Sequence, residues 1–164
     1  MIITPETKYT FFQDFEHTIS DESSAELKKA AEQYFKPCHA LTVAEFFGVL
    51  NGHFDLLGDM SEPTVLQVYW QKRFQEFVDE FSTACNKLKI HPDDEAELTS
   101  GCVNLTGVEH MLVFLRDYFG LPSFEAAGER TLSEYLTARK DKFNEWRIMK
   151  NREAIQARKL KQKR

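Results

Sequence analysis

Cysteine is scarce in this chain and poorly placed for either of its structural uses. Cys38, Cys85 and Cys102 are odd in number, widely spaced and form no Cys-x-x-Cys pair, so neither a disulfide framework nor a zinc knuckle is indicated. A reducing cytosol suits such a chain. Long apolar runs are missing too, none approaching the roughly eighteen uninterrupted residues of a membrane span. The start, Met1-Ile2-Ile3-Thr4-Pro5-Glu6, has neither the basic nor the apolar stretch of a secretion signal. A soluble, cytoplasmic protein without a membrane partner is the expectation.

Catalytic signatures are also absent. There is no Gly-rich phosphate loop, no G-x-S-x-G and no H-E-x-x-H, so no enzyme activity and no cofactor are expected. Cys38-His39 with His53 is the nearest approach to a metal set. Adjacent side chains on a turn rarely share one ion, and no fourth ligand is evident, so no metal is expected either. Asp93-Asp94-Glu95 with Glu97 reads better as a solvated helix start complementing the helix dipole than as a cation site. His110 follows Glu109 in a first helical turn, where a hydrogen-bonded core or boundary histidine is the plainer assignment.

What the chain does have is charge, unevenly spread. Over residues 139–164 eleven Lys or Arg face three acids, Asp141, Glu145 and Glu153, whereas residues 1–138 carry ten bases and twenty-three acids. The formal net charge of −5 therefore hides a body near −13 and a tail near +8. An acidic body disfavours a broad nucleic-acid surface, while the tail can contact phosphates, RNA or an acidic protein. A solvated, frayed terminal helix is the alternative reading of the same residues. At 164 residues the chain can bury about two thirds of its unfolded surface. Two regions follow: an acidic helical body over residues 1–138, and a basic tail over residues 139–164 that continues a helix starting near 131.

Helical signals recur from end to end. The expected class is all-α, a small helical bundle with a long central helix and an extended basic C-terminal helix. Ser23 and Glu26 form a capping box for a helix over residues 23–36, stopped by Pro37. Thr42-Val43-Ala44-Glu45 opens a second helix carrying Phe46, Phe47 and Leu50, which Asn51-Gly52 ends. Ser61-Glu62-Pro63 supplies a cap and a first-turn proline for a long helix reaching about Lys89. Within it Trp70, Phe74, Phe77, Phe81, Ala84 and Leu88 alternate spacings of four and three. That is a heptad seam, which either supports the bundle or zips to a copy of itself.

Thr106-Gly107-Val108-Glu109 launches a helix with Met111, Leu112, Phe114, Leu115, Tyr118 and Phe119. It is apolar on most faces and so expected to be the most buried, until Gly120-Leu121-Pro122 ends it. A short helical turn fits residues 123–127. Tyr9, Phe11, Phe12 and Phe15 need cover, but residues 10–15 fit a strand or a helix start equally. The segments beginning at Thr42 and Thr131 match in class at six successive positions, each with a Phe twelve residues after its Thr, Phe54 and Phe143. Shared capping chemistry explains that likeness without duplication. Fourteen Phe make a tight core or leave an apolar groove for a partner helix; core is the plainer assignment.

Thr131-Leu132-Ser133-Glu134 is a further capping box, and no Gly or Pro interrupts residues 131–164. Tyr135, Leu136, Phe143, Trp146 and Met149 give this helix an apolar stripe. From Lys150 onward Lys and Arg dominate, with Ile155 and Leu160 as the large apolar residues. The far end has little of its own to bury. Tyr135, Phe143, Trp146, Lys150, Arg152, Arg158 and Lys159 are therefore the candidate partner-binding residues.

Thr131-Leu132-Ser133-Glu134-Tyr135, then Phe143 and Trp146, then Lys150-Asn151-Arg152-Glu153-Ala154-Ile155-Gln156-Ala157-Arg158-Lys159 resembles the C-terminal segment of tail assembly chaperones of long-tailed bacteriophages and prophages. Leu41-Thr42-Val43-Ala44-Glu45-Phe46 looks like their other helix start. The resemblance covers about a fifth of the chain, and caps and basic tails are common motifs. It implies a small, all-helical, self-associating and non-catalytic protein of the host-cell cytoplasm. Such a protein binds the tape-measure protein, or other tail proteins, during tail assembly. The alternatives are a helical phage structural component of the head-completion or connector type, and a regulator using the basic C-terminal helix on nucleic acid. The acidic body and the lack of a helix-turn-helix weigh against that regulator.

Overall fold

Threonine opens three of the helices in the computed structural model, which describes residues 21–88 and 107–162. Among the described residues there are six α-helices and no strand: α1 (Asp21–Tyr34), α2 (Val43–Leu50), α3 (Val65–Lys87), α4 (Gly107–Phe119), α5 (Phe124–Gly128) and α6 (Leu132–Gln162). The all-α class holds. At α2 the Glu45 N–H donates to Thr42 Oγ1 at 3.2 Å, and the Thr42 N–H donates to Glu45 Oε2 at 2.7 Å. The same reciprocal pair starts α6, with the Glu134 N–H on Thr131 Oγ1 at 3.2 Å and the Thr131 N–H on Glu134 Oε2 at 2.8 Å. Each box satisfies two backbone donors that a helix start leaves free.

The start of α3 differs from the sequence expectation. The cap is Thr64, not Ser61, and the reciprocating residue is Gln67 (Thr64 N–H to Gln67 Oε1, 2.7 Å; Gln67 N–H to Thr64 Oγ1, 3.3 Å). Pro63 therefore precedes the cap instead of occupying the first turn, and the Ser61 N–H turns back to Asp59 Oδ1 at 2.8 Å. Gln67 also has a task no ionised glutamate can perform. Its Nε2 donates to the carbonyls of Leu57 at 2.7 Å and Asp59 at 3.2 Å, tying the preceding loop to the helix start.

Packing divides the chain into two units, Met1–Glu80 and Phe81–Arg164, and α3 contributes residues to both. In the first unit Leu27 of α1 packs with Val65 and Leu66 of α3, flanked by Ala30, Phe35 and Tyr69. Trp70 stacks on Phe74 at 5.4 Å between ring centroids, and Phe46 of α2 meets Phe74 at 5.7 Å. The Trp70 Nε1–H donates to the Lys36 carbonyl at 2.9 Å, so the indole is both buried and satisfied. Of the heptad seam, Trp70, Phe74 and Phe81 are buried within the chain while Phe77 and Ala84 are partly covered. Trp70 and Phe74 belong to the core of the first unit and Phe81 to that of the second.

In the second unit Leu115, Leu132, Met111, Tyr135, Ala138 and Ala127 are buried. The expectation that the helix after Thr106 is the most buried does not hold. Of its apolar residues only Met111 and Leu115, one turn apart, are fully covered; Leu112, Val113, Phe114 and Tyr118 are half-buried and Phe119 is exposed. His110, expected in the core or at its boundary, is exposed as well. Cations cover much of what would otherwise be bare ring. Arg139 lies 5.6 Å from the Phe114 centroid, Lys142 5.7 Å from Tyr118, and Arg130 4.7 Å from Phe119. At the end of α4, Gly120 takes a positive φ of 63°, which permits the left-handed turn that stops the helix. Ser123 then caps α5 through its Oγ, which accepts from the Ala126 N–H at 3.2 Å. The Ser23 side chain, the Thr106 cap, Asp93-Asp94-Glu95 with Glu97, Cys102 and the aromatics from Tyr9 to Phe15 lie outside the described residues.

Candidate functional site

The helix α6 changes character along its length, from an anchored start to an exposed end. Its first turns are anchored. Leu132, Tyr135 and Ala138 are buried, and the Tyr135 ring sits 6.1 Å from Phe81 and 5.5 Å edge-on from Phe114. Arg139 then donates from Nη2 to the Leu88 carbonyl at 3.3 Å, and Asp141 accepts from the Tyr118 hydroxyl at 2.6 Å. Lys142 donates to Glu145 at 2.7 Å along the helix itself. Phe143 and Trp146 have ring centroids 5.6 Å apart and are only partly covered. Beyond them residues 151–162 are exposed at every position while the backbone remains α-helical.

The seven residues singled out from sequence therefore fall into three environments. Tyr135 belongs to the core of its unit and presents no ring to a partner, because its position near the helix start points it at Phe81 and Phe114. Phe143 and Trp146 form an aromatic pair at the boundary. Lys150 lies 3.7 Å from Glu153, and Arg152, Arg158 and Lys159 are in solvent. The apolar stripe read from the sequence leaves out Ile148. It is 52% exposed, as is Ile155 seven residues on at 51%, with Met149 at 49% and Leu160 at 68%. An i, i+7 isoleucine pair inside a basic run is the sequence signal for it. The change of charge at residue 139 falls inside α6, so it marks no break in the helix.

Among the described residues, each unit also carries a groove away from the end of α6. The first has a volume of about 360 Å³, and its lining includes Phe35, Tyr69, Trp70 and Phe77 together with Cys38, Glu32 and Glu80. Burial pushes the Cys38 thiol up to about 11 although Arg73 pulls the other way, so it is protonated at neutral pH and a poor nucleophile. The second, about 630 Å³, is a shallow trough between α4 and α6 that mixes Arg139 and Lys142 with Asp117, Asp141 and Glu145. Within it Lys142 pairs with Glu145 and the Tyr118 hydroxyl donates to Asp141. Among the described residues no three His, Cys, Asp or Glu side chains gather as a metal site, and no helix is long and apolar enough to cross a membrane. Comparison with protein-family models, with curated proteins and with solved structures returned no match.

Proposed function

We propose that this chain acts without catalysis, by binding another protein through the C-terminal half of α6. One observation carries the proposal: residues 151–162 stay helical yet are exposed on every side, beyond an anchored and doubly capped start. Helices in proteins gain most of their stability from packing one face, so a basic helix exposed at every position is suited to a face supplied by a partner. The resemblance of these residues to phage tail assembly chaperones names the candidate partner, a tape-measure protein, and the host-cell cytoplasm as the place. The acidic body then serves to keep the complex soluble.

Co-expression tests this directly. A tape-measure protein expressed with the full chain should remain soluble, and expressed with a chain lacking residues 151–164 it should precipitate. Insoluble tape-measure protein in both cases, with the full chain retained on a nucleic-acid column until high salt, would favour the regulator instead.

A further inference from the structure

Projected at about 100° per residue, the four large apolar side chains exposed on α6 do not scatter around the helix. Ile155, Ile148, Met149 and Leu160 fall within an arc of about 140°, each between 49% and 68% exposed. Arg152 and Lys159 stand inside the same arc, between the isoleucines on one side and Met149 and Leu160 on the other. The opposite arc holds Arg147, Lys150, Ala154, Ala157, Arg158 and Lys161, with no large apolar group. The exposed half of α6 thus has one face that interleaves aliphatic side chains with two cations, and another that is basic and small.

We infer that the face of Ile148, Arg152, Ile155, Lys159 and Leu160 docks an acidic amphipathic helix of a partner protein, an apolar seam flanked by carboxylates. Three classes of occupant meet this face differently. A membrane interface takes up an apolar arc whose cations lie at its margins or opposite it, whereas here Arg152 and Lys159 occupy the middle. Nucleic acid would engage the cations and leave the two isoleucines and Leu160 in water. A helix with leucine-like residues facing the aliphatics and Glu or Asp beside them matches both at once, as flanking charges do in paired helices. The like charge of two tails, each near +8, opposes the pairing of this face with its own copy.

This docking chemistry rests on the reading that α6 is the contact surface and adds the nature of what it contacts. A synthetic peptide tests it without the natural partner. The probe has about three heptads with Leu at a and d and Glu at e and g; its control keeps the glutamates and carries Ala in place of Leu. Titrated into the full-length chain by calorimetry, the Leu peptide should bind and the Ala peptide should be weaker by about tenfold or more. Binding should weaken with added salt. The double variant I148D/I155D should lose it, and I148A/I155A, which raises helix propensity, should lose most of it while its circular dichroism shows no loss of helix. Equal binding of both peptides would overturn the inference in favour of charge alone. Tighter binding to anionic phosphatidylglycerol vesicles, or to an RNA duplex, would overturn it as well. A tape-measure protein kept soluble by a chain that ignores the Leu peptide would sink this inference while leaving the proposed function standing.

Discussion

Ile148 and Ile155 stand two helical turns apart on nearly the same side of α6, 52% and 51% exposed, while Tyr135 on the anchored part of the same helix is 7% exposed. One helix thus carries a core residue and a pair of bare isoleucines. The anchored part belongs to the fold, and the bare part is free to meet something else.

Ending the chain at Lys150 should therefore leave the fold as it is. Residues 151–162 are exposed throughout, so their removal uncovers no buried side chain and the unfolding midpoint should hardly move. Denaturant unfolding of the two chains checks this, and a large drop in midpoint would show that the tail packs on the body.

Side chains nearer the core should behave otherwise. Leu115→Ala and Leu132→Ala, each at a fully buried position, should cost about 2–5 kcal/mol. Trp146→Ala should cost less, because its ring is only partly covered. The same unfolding curves rank the three.

Gln67→Glu isolates the loop-tying role of the amide. A carboxylate still accepts from the Thr64 N–H but has no donor for the Leu57 and Asp59 carbonyls. A loss of about 1–3 kcal/mol is expected, whereas Glu134→Gln should be milder, since that site asks mainly for an acceptor. Chemical unfolding of both variants beside the parent chain checks the order.

Acid should weaken the capped helices. The Thr131 N–H holds Glu134 below its ordinary value of 4.5. At Glu45 burial works the other way, but Lys36 and the Thr42 N–H outweigh it and its pKa is also lowered. A depressed carboxylate contributes stability above its unfolded pKa, and that contribution is lost as pH falls through the folded value. Stability measured against pH should fall below about 4.5, less steeply in E45Q and E134Q.

The helix starts at Thr42 and Thr131 are legible because a capping box is a local pattern, settled by residues three apart. Thr64 escapes the same pattern because Gln67 is a less familiar partner than Glu, and the nearby Pro63 draws the cap to Ser61. The exposure of α4 cannot be read from its apolar count, since the cations over Phe114, Tyr118 and Phe119 come from α6 and the segment before it. Of the candidate site, the basic run is visible in the sequence. The burial of Tyr135 and the bareness of Ile148 depend on which turn of α6 still faces α4, and only the packed structure decides that.

Hydrogen exchange on the full chain, alone and with a tape-measure protein, decides whether α6 is the binding surface. Alone, amides over residues 135–139 should exchange slowly and those over residues 151–162 fast. With the partner, new protection should appear over residues 146–162. Protection confined to α2 or α3, with residues 151–162 exchanging as fast as before, would rule out α6 as the surface that holds the partner.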